Sequence, residues 1–274
     1  LIEVSKIFQP RNILVYPPNN KQTFEEYFFD RSIKEITNLN RIYLPIFWTN
    51  YYISKNYGNG DISELQNLIN SLDKTKKYFT IVQYDDNILN NLNDLDILIF
   101  AQGGYGKYKN NCYEIPLNCL GEISENNEKN IFASFVGRKT HQIRNRLFDM
   151  YMNNENFFIS ETINYNDYKN IMKKSIFSLC PRGYGLTSFR ICESLQSESI
   201  PVYIYDEEFL PFKKEFDFNE IGIKLHISEL HSLNEILLSK TKDDIENYIK
   251  FGKEIYKKYF TYEGSFQTIK KILT

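Results

Sequence analysis

The residues best arranged to do chemistry lie in the turn Pro181-Arg182-Gly183-Tyr184-Gly185 and just beyond it, at Ser188, Arg190 and Glu193. Two glycines permit positive φ and a close backbone approach to a ligand. Thr187 or Ser188 can cap a helix whose apolar positions are Phe189, Cys192 and Leu195 and whose other side carries Arg190 and Glu193. Free backbone N–H groups and the positive end of a helix dipole, joined by Arg182 and Arg190, suit a phosphate or diphosphate. Glu193, one turn into the helix, can accept hydrogen bonds from ribose hydroxyls. The alternative for Arg190 and Glu193 is an i,i+3 surface ion pair worth about 0.2–0.5 kcal/mol. For the whole stretch it is an ordinary strand-to-helix turn.

Such a turn needs strands on both sides. Ile176 to Cys180 is a short apolar run of the kind that forms a buried parallel strand, and Ile200 to Tyr205 reads as the next. Upstream, the pattern predicts strand Ile131 to Val136, helix Gln142 to Met152, strand Phe157 to Ile159 and helix Tyr165 to Lys174. Downstream come a strand near Ile221 to Leu225 and helices at about Leu230 to Leu238 and Asp243 to Tyr259. The first half alternates likewise. Asn12 to Tyr16, Arg41 to Phe47, Tyr78 to Tyr84 and Asp96 to Ala101 read as strands. Thr23 to Leu39 and Asp61 to Leu72 read as helices, the first with a capping box at Thr23 and Glu26. Pro45 marks its strand as an edge or an early stop. Leu117 to Asn130 turns polar and reads as a linker. The expected organisation is α/β: a Rossmann-like domain over residues 1–123 and another over 124–274, facing across a cleft, with ligands at the carboxyl ends of their strands. The last helix is free to cross back to the first domain.

A chain of 274 residues can bury two cores, and 21 Tyr with 21 Phe supply ample apolar area. A formal charge of −2 and a pI near 6.1 argue against a nucleic-acid partner. Nothing approaches the roughly 18 uninterrupted apolar residues of a membrane span. The chain begins Leu1-Ile2-Glu3, which fits trimming or processing. A cytoplasmic or otherwise soluble location is expected, with the Golgi lumen as the alternative if an N-terminal anchor has been removed. The four cysteines make no CxxC pair and no metal-type spacing with His141, His226 or His231. Cys180 and Cys192 are expected as buried free thiols, which fits a reducing compartment.

The stretch CPRGYGLTSFRICESLQSESIPVYI resembles the signature of exostosin-family glycosyltransferases, in which a Cys-Pro-Arg-Gly turn leads to a Ser-x-Arg helix, an acidic residue and a strand opening Ile-Pro-Val. The similarity continues through Tyr205-Asp206 and Leu210-Pro211-Phe212 to Phe218–His226, roughly a fifth of the chain. It departs at Ser197-Glu198-Ser199, where the family usually has a small residue and glycine. The resemblance implies a GT-B fold and transfer, with inversion, of one sugar from a nucleotide sugar to a hydroxyl of a glycan or glycoprotein acceptor. The donor would be a UDP-sugar such as UDP-xylose, UDP-glucuronate or UDP-galactose. Two other readings share the fold: a fucosyltransferase-like enzyme using a GDP-sugar, and a catalytically silent nucleotide- or carbohydrate-binding module.

Sugar transfer requires neutralisation of the departing diphosphate and removal of the acceptor proton. For the first, Gly183, Tyr184, Gly185 and Ser188 join Arg182, Arg190 and Glu193 as donor-binding residues. The turn Val136-Gly137-Arg138-Lys139-Thr140-His141-Gln142-Ile143-Arg144 is similar to the family's Phe-x-Gly turn with its following Ile-Arg, so the resemblance adds Arg138 and Arg144. Their alternative is a solvated basic helix start. For the second, Asp85 and Asp86 stand where a strand ends, in a segment similar to one where the family places an Asp, usually after His; here Tyr84 takes that place. Adjacent carboxylates repel, so one can serve as base and the other orient it, with Asp85 the first choice. Their alternative is a pair of turn aspartates. On the loop Phe47-Trp48-Thr49-Asn50-Tyr51-Tyr52, Trp48 and Tyr51 offer rings for stacking on the acceptor sugar, the alternative being core packing, and Gln102-Gly103-Gly104-Tyr105-Gly106 could line the same region or merely turn. Asp94-Leu95-Asp96 precedes a strand instead of following one, so it reads as a turn into the strand. No catalytic metal and no cofactor are expected, the arginines doing what a divalent ion does elsewhere.

Overall fold

The computed structural model describes residues 2–13, 22–35, 39–124 and 128–274. The chain divides into one unit of Leu1–Leu120 with Tyr262–Thr274 and a second of Gly121–Thr261.

The first unit holds α1 (Phe24–Glu35), β1 (Ile42–Tyr43), α2 (Trp48–Ser54), α3 (Ser63–Asn70), β2 (Lys77–Val82), β3 (Asp96–Ala101) and β4 (Cys112–Glu114). Its described strands pair in the order β1-β2-β3-β4, all parallel. The capping box forms: Glu26 accepts from the Thr23 N–H and Thr23 Oγ1 accepts from the Glu26 N–H. Pro45 acts as an early stop, since β1 ends at Tyr43 and α2 begins at Trp48. That helix replaces the aromatic loop expected there. Most of the expected strand over 12–16, residues 14–16, lies outside the described residues. The core is aromatic, with the Phe28 ring 5.2 Å from Tyr43, 6.0 Å from Phe79 and 5.1 Å from Phe266.

The second unit holds β5 (Ile131–Val136), α4 (Gln142–Tyr151), β6 (Phe157–Ser160), α5 (Tyr165–Lys174), β7 (Ser175–Pro181), α6 (Arg190–Gln196), β8 (Ile200–Tyr205), β9 (Ile223–His226), α7 (Leu233–Leu238) and α8 (Lys242–Ile255). Its strands, all parallel, run in the order β6-β5-β7-β8-β9. Ala133 and Phe135 on β5, Phe177 and Leu179 on β7, and Ile200, Val202 and Ile204 on β8 form a core with Ile143, Leu147 and Phe148 of α4. Both parts of the expected fold, two parallel-sheet α/β units in series, are therefore present. After α8 a π-turn (Tyr256–Phe260) leads to α9 (Tyr262–Leu273), a helix beyond the expected end of helical structure at Tyr259. Its stripe Tyr262, Phe266, Ile269 and Leu273 is buried in the first unit. Among the described residues no helix is long and apolar enough to cross a membrane.

Cys180 and Cys192 are buried free thiols, as expected. Burial pushes the Cys180 thiol up to about 12.

Candidate functional site

In the second sheet the strand order reverses between β5 and β7, because β6 lies on one side of β5 and β7 on the other. The carboxyl ends of strands at such a reversal open a crevice where α/β sheets bind ligands. The turns leaving β5 and β7 are the two that the sequence singles out, and two buried arginines cross between them. Arg144, on α4, donates from Nε to Arg182 O (3.0 Å), from Nη1 to Arg138 O (3.2 Å) and from Nη2 to Pro181 O (3.4 Å). Arg190, on α6, reaches back and donates to Val136 O at the end of β5, with Nε at 3.2 Å. Both guanidinium groups lie over the Phe135 ring, at 5.6 and 4.8 Å from its centre.

This crossing explains two glycines. A Cβ at Gly137 would overlap Arg190 Nη2 and press on the Phe135 ring, and one at Gly183 would meet Arg144 Nη2 at 3.0 Å. Each glycine makes room for the arginine that arrives from the other turn.

Arg182 holds its own turn closed. It donates to Gly185 O (3.0 Å), to Tyr184 O (2.9 Å) and to Asp206 Oδ1 (2.8 Å) at the end of β8. Burial pushes the Asp206 carboxyl up, but the hydrogen bond and charge of Arg182 outweigh it and hold Asp206 below the usual carboxylate range. His141 closes the start of α4: its Nδ1 accepts from the Ile143 N–H at 3.3 Å, and its Nε2 lies 3.7 Å from Asp206. Burial, with the charges of Arg182 and Arg144, depresses its pKa against the pull of Asp206. The Tyr203 hydroxyl donates to Leu186 O (2.9 Å) and accepts from the Phe209 N–H (3.0 Å), tying down the far side of the turn.

The expected donor-binding residues thus come together, in unequal positions. Arg138, Lys139 and Tyr184 are exposed. Arg144, Arg182 and Arg190 point guanidinium N–H groups at backbone carbonyls, so they shape the turns from within. The helix after the turn is short, only Arg190–Gln196, and is capped by no side chain at Phe189; Ser188 Oγ accepts from the Arg190 N–H at 3.3 Å. Arg190 is buried and Glu193 half-buried, so neither stands on a solvated helix face. Glu193 accepts from the Tyr168 hydroxyl, and burial raises its pKa against the pull of Tyr168 and Arg190. Sequence reasoning gave no role to Asp206, Phe135 or Tyr168. An acid at the carboxyl end of the next strand was the legible signal for Asp206.

In the first unit, Asp85 and Asp86 are half-buried in the turn leaving β2. Asn87 closes that turn, with φ of 60°, its N–H on Tyr84 O (2.9 Å) and its Nδ2 on Gly104 O (2.8 Å). A Cβ on Gly103 would overlap Asp85 Oδ1, so the two turns fit against each other. The expectation for Trp48 and Tyr51 is corrected. Both are buried, and Trp48 Nε1 donates to Thr80 Oγ1 at 2.8 Å, because α2 turns these rings into the core instead of leaving them on a loop. Asp94 and Asp96 pair with Lys74 and Arg41 at the start of β3. Among the described residues no three His, Cys, Asp or Glu are grouped to hold a metal ion.

The second unit is of the Rossmann-like α/β class, with its crevice turns braced by arginines. Residues 114–240 match the family model of the Exostosin GT47 domain. An Exostosin-1 homolog of Caenorhabditis elegans is 32% identical over 93 residues, 34% of this chain and 24% of the relative. A probable glucuronosyltransferase of Oryza sativa subsp. japonica is 32% identical over 109 residues, 40% of this chain and 25% of the relative. These matches span about a quarter of the relatives' own length. A crystal structure of TarM superposes with a TM-score of 0.47 at 9% identity, covering 77% of this chain and 53% of that one.

Proposed function

We propose that the protein is a glycosyltransferase that moves one sugar from a nucleotide sugar to a glycan hydroxyl. The observation that carries this reading is the coincidence of two things: the Exostosin GT47 match over residues 114–240 and the arginine-braced turns at the strand reversal, which fall inside it. Guanidinium groups that satisfy carbonyls leave the turns electropositive, and exposed Arg138 and Lys139 add charge at the surface. A diphosphate leaving group suits that setting without a divalent ion. The glucuronosyltransferase named among the relatives makes a UDP-sugar the first donor to try. In this scheme Tyr184 offers its ring to the nucleotide, Glu193 faces the ribose, and Asp85, or Asp86 beside it, takes the proton of the acceptor hydroxyl in a single inverting displacement.

The test is calorimetric binding of UDP, GDP and their sugar conjugates in EDTA, to the wild type and to Arg138→Ala. Metal-free binding of UDP or a UDP-sugar, weakened about tenfold in the variant, is the expected result, one charge-assisted contact being worth about 1.5 kcal/mol. Absence of nucleotide binding with and without added metal would overturn the reading, and preference for GDP would move the donor to that class.

A further inference from the structure

One buried carboxylate in the first unit has no part in the scheme so far. Glu25 lies in the first turn of α1 and is fully buried. Four hydrogen bonds converge on it. The Gln83 N–H donates to Oε1 at 2.7 Å, Thr49 Oγ1 to Oε1 at 2.8 Å, and the Thr49 N–H to Oε2 at 3.1 Å and Oε1 at 3.3 Å. Gln83 returns the contact, its side-chain Oε1 accepting from the Phe24 N–H at 3.2 Å. Gln83 is the first residue past β2, two before Asp85, and Thr49 lies in the first turn of α2, where no side chain of the preceding residue caps the helix. One carboxylate therefore joins the start of α1, the start of α2 and the end of β2.

Removing a carboxylate from water costs several kcal/mol as an order of magnitude, so a buried one persists only where donors satisfy it. One donor, the Gln83 N–H, lies where the β2 turn begins, and the others belong to Thr49 of α2. From Gln83 the chain passes through Tyr84 to Asp85 and Asp86, and the turn is closed on its other side by Asn87 and Gly103. Asn87 and Gly103 fasten this turn beside the aspartates, and Glu25 fastens its start from a distant part of the sequence.

We infer that Glu25 is a positioning residue for the carboxylates at the end of β2, acting through the Gln83 N–H and Thr49 and not touching substrate. The inference rests on the proposed transferase reading for its effect on turnover, but not for its effect on the turn. Burial raises the Glu25 pKa to about 8 against the pull of the Gln83 and Thr49 hydrogen bonds, with Glu26 adding to the rise. Tyr43 and Tyr52 are the other titratable groups that feel its charge.

The experiment compares the wild type with Glu25→Gln, and with Thr49→Val as the milder change should the first variant fail to fold. Nucleotide affinity, kcat with the best donor, and amide hydrogen exchange of residues 83–87 are measured on each. The expected result is a kcat lowered about 10- to 100-fold, the scale of a misplaced catalytic group. Nucleotide affinity stays at the wild-type value, and exchange at 83–87 is faster while β5 is unchanged. An ionisation near 8 in the wild-type kcat profile, absent in Glu25→Gln, is the readout that simple destabilisation would not move. Unchanged kcat and unchanged exchange would overturn the inference, as would a joint loss of affinity and turnover. If the wild type neither binds nucleotide nor turns over, the transferase reading fails, and exchange at 83–87 alone decides whether Glu25 holds the turn.

Discussion

The two units secure the carboxyl ends of their parallel strands with opposite kinds of hydrogen-bonding group, guanidinium donors in one and a carboxyl acceptor in the other. In the second, Arg144 and Arg190 give N–H groups to the carbonyls of Val136, Arg138, Pro181 and Arg182. In the first, Glu25 accepts from the N–H groups of Gln83 and Thr49. The buried cations occupy carbonyl oxygens and leave the turns electropositive, as an anionic ligand requires. The buried Glu25 carboxyl, which burial keeps protonated below about pH 8, occupies N–H groups at the start of a turn that presents acids.

The largest expected effect is on stability. Arg144→Met strands the carbonyls of three residues and should cost about 3 kcal/mol or more in urea unfolding, whereas exposed Arg138→Ala should stay within about 0.5 kcal/mol. Equal losses would break the distinction between bracing and surface arginines.

A pair of glycine substitutions separates the units by function. Gly137→Ala pushes on Arg190, and Gly103→Ala on Asp85. Each should cost about 1–3 kcal/mol through overpacking. The first should weaken nucleotide binding in calorimetry. The second should lower turnover and leave that binding intact.

Acid and base should act on the units in opposite directions. The folded pKa of Glu25, about 8, lies above its ordinary 4.5, so its contribution is fully present below pH 4.5 and is lost as pH rises to about 8. The wild type should therefore lose stability relative to Glu25→Gln across that window. Asp206 is held below its ordinary 3.8, so its contribution is present above that value and is lost as pH falls below it, relative to Asp206→Asn. Chemical denaturation at a series of pH values checks both signs.

The smallest effect is expected at Glu198, a non-glycine residue at φ 52° whose carboxylate meets Lys253. It sits in the Ser197-Glu198-Ser199 segment that departs from the exostosin pattern. Glu198→Gly relieves about 1 kcal/mol of left-handed strain and loses an ion pair worth about 0–1 kcal/mol, so the melting temperature should barely move.

Local pattern decided much of this protein. Strand Ile131–Val136, helix Tyr165–Lys174 and strand Ile200–Tyr205 fall on their expected bounds, because short apolar runs and capped helices declare themselves within a few neighbours. The arginine-bearing turns and the exostosin resemblance were legible for the same reason: their residues are contiguous. The helix α9 lies past the expected end of helical structure, although a last helix crossing back to the first unit was anticipated.

What the sequence could not reveal is where long side chains end. Nothing local says that Arg144 spends its N–H groups on a turn 37 and 38 residues away, or that Glu25 meets Gln83 across 58 residues. Residue types and their spacing determined the strands, the turns and the charges available. Only the packed tertiary structure decided which charges became buried braces and which stayed at the surface, because a hydrogen bond between distant residues exists only after the sheets have brought their strand ends together.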